Sequence, residues 1–156
     1  MNEEKKEEKK SEKKKKQKEK QKEKIVITRG KRKRAIAIAR IKKGKRFRFI
    51  FNGLNVDEME NEYLKQFLYL PVVLYPKVYE EPLDIVVNAK GGGVMGQLQA
   101  ARRAVAVGIS NYFEDKEALK MFYSVNPNLV VEDVRRVEPK KDRRRKARAK
   151  YQKSYR

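Results

Sequence analysis

The stretch Arg143–Arg156 holds eight basic side chains, no acidic one, and no apolar spacing from which a core is built. That sets the limit on what this chain can fold into. A segment so charged stays extended and hydrated until a polyanion neutralises it. A globular body must therefore be found upstream, and the charge pattern marks its edges. Residues 1–24 carry 12 basic and 7 acidic groups, and residues 29–48 carry 11 basic and none acidic. Residues 49–134 reverse the sign, with 7 basic and 12 acidic, and residues 135–156 return to 12 basic and 2 acidic. The formal charge of +21 is thus segregated rather than spread. Segregation of this kind implies a large anionic partner.

Three regions follow: a Lys/Glu-rich extension over 1–24, a globular body over 25–134 and an extended basic tail over 135–156. The extension has no apolar stripe to dock it, and its Glu/Lys spacing gives little net i,i+4 support. A solvated, disordered tail and a weak non-specific RNA contact both fit it. Cysteine and histidine are absent. That excludes disulfides, Cys/His zinc sites and an imidazole general base. No apolar run approaches the ~20 residues of a membrane span, and the charged start is unlike a signal peptide. A cytoplasmic protein with no membrane partner, no metal and no cofactor is expected.

Within the body, residues 34–42 alternate, with Ala35, Ala37, Ala39 and Ile41 on one side and Ile36 and Ile38 on the other. A strand apolar on both faces belongs in the middle of a sheet. Lys42-Lys43-Gly44-Lys45 then turns the chain, and Phe47, Phe49 and Phe51 alternate with Arg46 and Arg48. Residues 33–52 are therefore expected to form a hairpin with an aromatic inner face and a basic tip and outer face. A helix is expected over 56–70, with Tyr63, Leu64, Phe67 and Leu68 buried and Pro71 stopping it. A packed loop to Pro82 should follow, then a third strand over 83–89. The spacing next predicts a long helix, Val94 to Phe113, with a stripe of Val94, Leu98, Ala101, Val105, Ile109 and Tyr112. Gln97, Arg102, Arg103 and Ser110 fall largely outside that stripe. A short helix over 115–123 and a fourth strand at Leu129–Val131 complete the body. The fold class is α+β: a single four-stranded sheet with one layer of helices packed on it.

Gly91-Gly-Gly-Val-Met-Gly96 has the G-x-x-x-x-G spacing of a phosphate-binding loop between a strand and a helix. That loop requires Lys and then Ser or Thr next. Gln97 and Leu98 stand there instead, which argues against nucleotide hydrolysis. Gly91, Gly92 and Gly93 fit two roles that do not exclude each other: a tight turn with positive φ, and a close approach of backbone amides to phosphate. Arg102 and Arg103, two turns along the helix, would support the second. Glu80-Glu81 and Glu132-Asp133 make no convincing acid/base pair, so nothing marks an enzyme.

Five segments, in order, now resemble one family: Gly30-Lys-Arg-Lys-Arg34 before an Ala/Ile strand, the Phe-rich strand, Gly91–Gln97, Asp133–Lys141, and the ending Lys150-Tyr-Gln-Lys-Ser-Tyr-Arg156. Together they are similar to the ribosomal protein S-nine family of the small subunit, with the ending of its archaeal and eukaryotic branch. The resemblance covers about residues 28–156. It implies a structural, non-catalytic protein of the ribosome, with a body on ribosomal RNA in the subunit head beside neighbouring small-subunit proteins. It also implies that Lys153, Ser154, Tyr155 and above all Arg156 reach P-site transfer RNA.

Ribosomal RNA contacts are expected from Lys31, Arg32, Lys33, Arg34, Lys43, Lys45, Arg46 and Arg48, from Gly91–Gly93 with Arg102 and Arg103, and from Arg135, Arg136, Lys140 and Lys141. The tail path would be lined by Arg143, Arg144, Arg145, Lys146, Arg148, Lys150 and Tyr151. The chain departs from the family pattern at three places: Arg34 stands where Thr is usual, Arg143 where Gly is common, and the 1–24 extension is not a usual feature. A phosphate-transfer enzyme leaves the basic ending unexplained, and a free nucleic-acid-binding module makes the specific ending a coincidence.

Overall fold

The computed structural model describes residues 24–152 and Ser154. The expected extension, apart from Lys24, lies outside the described residues, as do Lys153, Tyr155 and Arg156. Five strands form one mixed sheet: β1 (Ile25–Arg32), β2 (Ala35–Lys43), β3 (Arg48–Phe51), β4 (Leu54–Asn55) and β5 (Leu83–Lys90), in the order β1-β2-β5-β3-β4. Four helices accompany them: α1 (Glu62–Leu74), α2 (Lys77–Glu80), α3 (Val94–Phe113) and α4 (Lys116–Val125). The architecture is α+β, with five strands rather than the four expected.

Three changes account for that number: β1 and the two-residue β4 are added, and the expected fourth strand is lost. The run Ile25–Arg32, not counted among the four expected strands, pairs with β2 along its whole length, from Ile25↔Lys42 to Arg32↔Ala35. Residues 127–129 form a 3-10 turn in place of the expected fourth strand, with the Asn126 side chain accepting from the Asn128 N–H. The expected 33–52 hairpin is also corrected, because β5 lies between β2 and β3. β5 matches β2 over eight residues, from Ile36↔Lys90 to Lys43↔Leu83, and takes β3 as a parallel neighbour on its other edge. The four-residue β3 offers a far shorter ladder than β5, and backbone pairing favours the longer match.

The inner face of β2 is the expected one, with Ala35, Ala37, Ala39 and Ile41 all buried. Its outer face is open: Ile36, Ile38 and their neighbours Ile25 and Ile27 on β1 are exposed large hydrophobics, chequered with Arg29 and Arg40. β2 is central through its two hydrogen-bonded partners and not through burial on both faces. Phe49 and Phe51 point inward as expected, with Arg46 and Arg48 outward.

Small residues let α3 press close to β1 and β2. A Cβ on Gly30 would sit 1.9 Å from the Ala100 carbonyl oxygen, so only glycine fits there. Beside it, the buried Thr28 hydroxyl donates to the Ala104 carbonyl at 2.7 Å. Leu98, Ala101, Val105, Ile109 and Tyr112 are buried along α3, whereas Val94 is exposed. Arg102 and Ser110, expected outside the stripe, are buried. With the sheet on one side and α1 on another, α3 buries more of its circumference than a single stripe.

α1 starts at Asn61, whose side chain accepts from the Leu64 N–H, and runs through Pro71 to Leu74. Pro71 therefore sits inside the helix instead of ending it. Its ring is buried with Leu68 and Val72, and that packing offsets the lost hydrogen bond. Leu64 and Phe67 pack against the core, but Tyr63 faces solvent. The expected loop to Pro82 contains α2, with Val78 and Tyr75 in the core.

Candidate nucleic-acid interface

β2 and β5 are antiparallel, so the turn before β2 and the glycines after β5 meet at one end of the sheet. Lys33 and Arg34 form the β1–β2 turn, with Lys33 at φ +54° and its N–H donating to Asp133 Oδ2 at 3.2 Å. The glycine loop lies directly on this turn. A Cβ on Gly91 would stand 2.6 Å from the Arg34 carbonyl oxygen, and one on Gly92 would stand 3.2 Å from the Ala35 nitrogen. Gly91 and Gly92 both have positive φ, so the tight-turn role is real. Nothing lies within 4 Å of a Cβ built on Gly93, the N-cap of α3.

That N-terminus has no side-chain cap and no acidic residue in its first turn. Its first backbone N–H groups thus have no partner in the helix and favour an anion. Gln97, standing where a phosphate-binding loop has lysine, turns back and donates to the Gly91 carbonyl at 3.2 Å. The loop is braced on itself. Arg32, Lys33, Arg34, Gly92 and Gly93 line one open groove with Met95, Gly96, Gln99 and Val137.

Arg34 and Val137 are shared with a second groove formed by Glu138, Lys140, Arg145, Lys146, Ala147, Arg148 and Ala149. The basic tail therefore begins beside the turn and the glycines and continues their positive margin. It is not wholly extended. Arg144 and Lys150 form an antiparallel bridge, and the N–H groups of Arg145 and Lys146 both donate to the Ala149 carbonyl. Arg148 reaches back to Glu138 at 2.9 Å. Arg143 sits at φ +52°, the left-handed conformation that suits glycine. Arg143, where Gly is common in the family pattern, thus has the geometry of a glycine position. Arg136, Lys140, Lys141, Tyr151 and Ser154 are exposed.

Not every expected residue belongs to this margin. Lys43, Lys45 and Arg46 lie at the opposite end of β2, roughly 25 Å away at 3.3 Å per residue. Arg48 also lies there, and its guanidinium grips Asp84 through two bonds of 2.9 and 2.8 Å. That pairing holds the Asp84 carboxyl below its usual range. Arg103 is turned inward and donates to the carbonyls of Val130 and Arg29, at 3.1 and 2.6 Å. Arg102 lies under the Phe67 ring, 3.9 Å from its centroid.

Arg135 donates to Asp133 at 3.0 Å, which with the Lys33 N–H pulls the Asp133 carboxyl far down. Asp133 thereby ties the start of the tail to the β1–β2 turn. Sequence reasoning missed Gly96, Gln99 and Val137 as groove residues. Gly96 and Gln99 are three apart on α3, one face of a helix, and that spacing was the available signal. Among the described residues no group of three or more Asp or Glu side chains is placed to hold a metal ion, and no helix is long and apolar enough to cross a membrane.

One sheet with helices on a single face and a cationic margin define a small basic α+β domain, and comparison with known sequences places it further. The family model described as ribosomal protein S9/S16 matches residues 30–156. The small ribosomal subunit protein uS9 of Thermoplasma volcanium is 44% identical over 131 residues, 84% of this chain and 98% of that protein. That of Debaryomyces hansenii is 40% identical over 138 residues, covering 84% and 96%, and that of Desulfurococcus amylolyticus is 38% identical over 133, covering 85% and 94%. The chain belongs to the ribosomal protein S9/S16 family.

Proposed function

We propose that this protein is a structural constituent of the small ribosomal subunit, without catalytic activity. It binds ribosomal RNA in the subunit head through its body and approaches P-site transfer RNA with its C-terminal end. Its relatives are named as small-subunit proteins, and its role is the same. The observation that carries the RNA reading is convergence. Arg32 to Arg34, the uncapped α3 N-terminus at Gly93 and the tail from Val137 onward share one face. Phosphates meet side-chain cations and backbone amides there together, which positions a nucleic-acid backbone without reading its sequence.

In this role Lys43, Lys45 and Arg46 form a second RNA contact at the far end of the sheet. Arg48, braced by Asp84, presents the edge of that cluster. Arg135, Arg136, Lys140 and Lys141 carry the backbone into the tail, where Arg143 to Lys150 and Tyr151 line its path. Lys153, Ser154, Tyr155 and Arg156 are the transfer-RNA end. Neighbouring small-subunit proteins complete the surroundings in the cytoplasmic ribosome.

Salt dependence tests this. If 6–10 phosphates are neutralised, affinity for isolated small-subunit RNA falls about 10³- to 10⁵-fold between 50 and 200 mM salt. A flat response would refute the RNA assignment. Retention of the protein on small subunits through a high-salt wash checks assembly separately.

A further inference from the structure

Arg102 is only 8% exposed, yet its guanidinium makes no hydrogen bond or ion pair among the described residues. Its one close partner is the face of Phe67. A guanidinium so far withdrawn from bulk water favours an anion, a cation–π contact offsets only part of its lost hydration, and its nitrogens open onto a cavity. Burial pulls its pKa down, with Arg32 acting in the same direction. The mechanism of RNA binding along the outer margin does not use this group.

Arg102 lines a cavity of about 140 Å³ between α3, the end of β1 and the 126–128 turn, together with Lys31, Arg32, Gln99, Asn126 and Asn128. One water needs ~10–15 Å³ by the same measure, so the cavity has room for one tetrahedral oxyanion. Every one of these six side chains carries an N–H donor. The side-chain amide groups of Gln99 and Asn128 make no hydrogen bond among the described residues, and Asn126 spends only its oxygen, on the Asn128 N–H. The one carboxylate at the edge, Asp133, is already engaged by Arg32, Arg135 and the Lys33 N–H. Three cations face one satisfied anion, and the amides with unspent donors line the same cavity. A planar carboxylate would use two acceptor positions, whereas a phosphate offers oxygens on all sides.

We propose that this cavity is a binding site for a single phosphate group, held by Arg102, Arg32 and Lys31 with the amides of Gln99, Asn126 and Asn128. The phosphate comes from an RNA backbone or from the free inorganic ion. Only the first source rests on the RNA-binding role proposed above.

The test uses the full chain and inorganic phosphate at constant ionic strength, with binding followed by ³¹P NMR and by the melting temperature. Saturable binding is expected, and Arg102→Gln and Asn128→Asp each weaken it at least tenfold. Asn128→Asp keeps Arg102 and Phe67 in place but brings a carboxylate to the anion. In phosphate-free buffer Arg102→Gln should melt at or above the wild-type temperature, because an uncompensated charge is removed. Lys116→Gln, exposed at the start of α4, should leave phosphate binding unchanged.

A second arm measures small-subunit RNA affinity against salt. A slope lowered by about one in Arg102→Gln assigns the phosphate to RNA. An unchanged slope with lost ³¹P binding assigns it to the free ion. Absence of phosphate binding by the wild type overturns the site, as does binding that survives both cavity variants. Wild type that binds phosphate here but no RNA would refute the proposed function and leave the site standing.

Discussion

Gly30 is the residue at which the fold is most sensitive to a single methyl group. A Cβ there meets the backbone of Ala100 and Ala104, neither of which can rotate away. Gly30→Ala should therefore lose about 3 kcal/mol or more of stability in urea unfolding, at the upper end of overpacking costs. Asp84 carries a different kind of prediction. Its carboxylate is buried and gripped by Arg48, with Lys42 at 3.8 Å. Asp84→Asn should cost about 1–3 kcal/mol at neutral pH, as expected for hydrogen bonds to a charged group. Alternation on β3 revealed that Arg48 faces outward. It gave no hint that Asp84 on β5 would stand opposite, because that register exists only once β5 is inserted.

Among the elements, α3 and its C-terminus were the most legible, and one detail there invites improvement. Glu114 ends α3 in the left-handed conformation, at φ +56°. Glycine at that position avoids the Cβ penalty, so Glu114→Gly should raise stability by about 0.5–1 kcal/mol, read as a higher melting temperature. Its exposed pair with Lys24 contributes little against that. The 20-residue apolar period of α3 was visible because helical spacing is local. Which other sides of it would be covered was not: Arg102, read as largely outside the stripe, is buried. α1 shows the same limit at Pro71, where the local rule says stop and the core packing of Leu68, Pro71 and Val72 prevails. The tail belongs at this scale too. The core of the described residues draws on nothing beyond Val130, so removing residues 153–156 should leave the melting temperature unchanged. Retention of P-site transfer RNA by subunits carrying that deletion should fall; normal retention would remove the transfer-RNA role.

For the molecule as a whole, pH separates its interactions. The Asp84 carboxyl is lowered by Arg48, that of Asp115 by the Tyr75 hydroxyl and the Glu117 N–H, and that of Asp133 by Arg135. Each binds fewer protons folded than unfolded. Their contribution is therefore complete above the unfolded value of about 4 and is lost as pH falls through the depressed folded values. With no histidine in the chain, the melting temperature should be level between about pH 5 and 8 and drop in acid. A midpoint near pH 6.5 would contradict this assignment. Asp84→Asn should blunt the acid drop.

The sequence by itself determined the inward face of β2 and β3, the course of α3, and the family, because local periodicity and short motifs are written along the chain. Only the tertiary structure decided that β5 separates β2 from β3, and that the β1–β2 turn, the glycines and the tail form one margin. It alone placed Arg102 over a cavity. Those outcomes depend on competition among pairings and on which surfaces meet, and residues far apart in the chain carry no local trace of either.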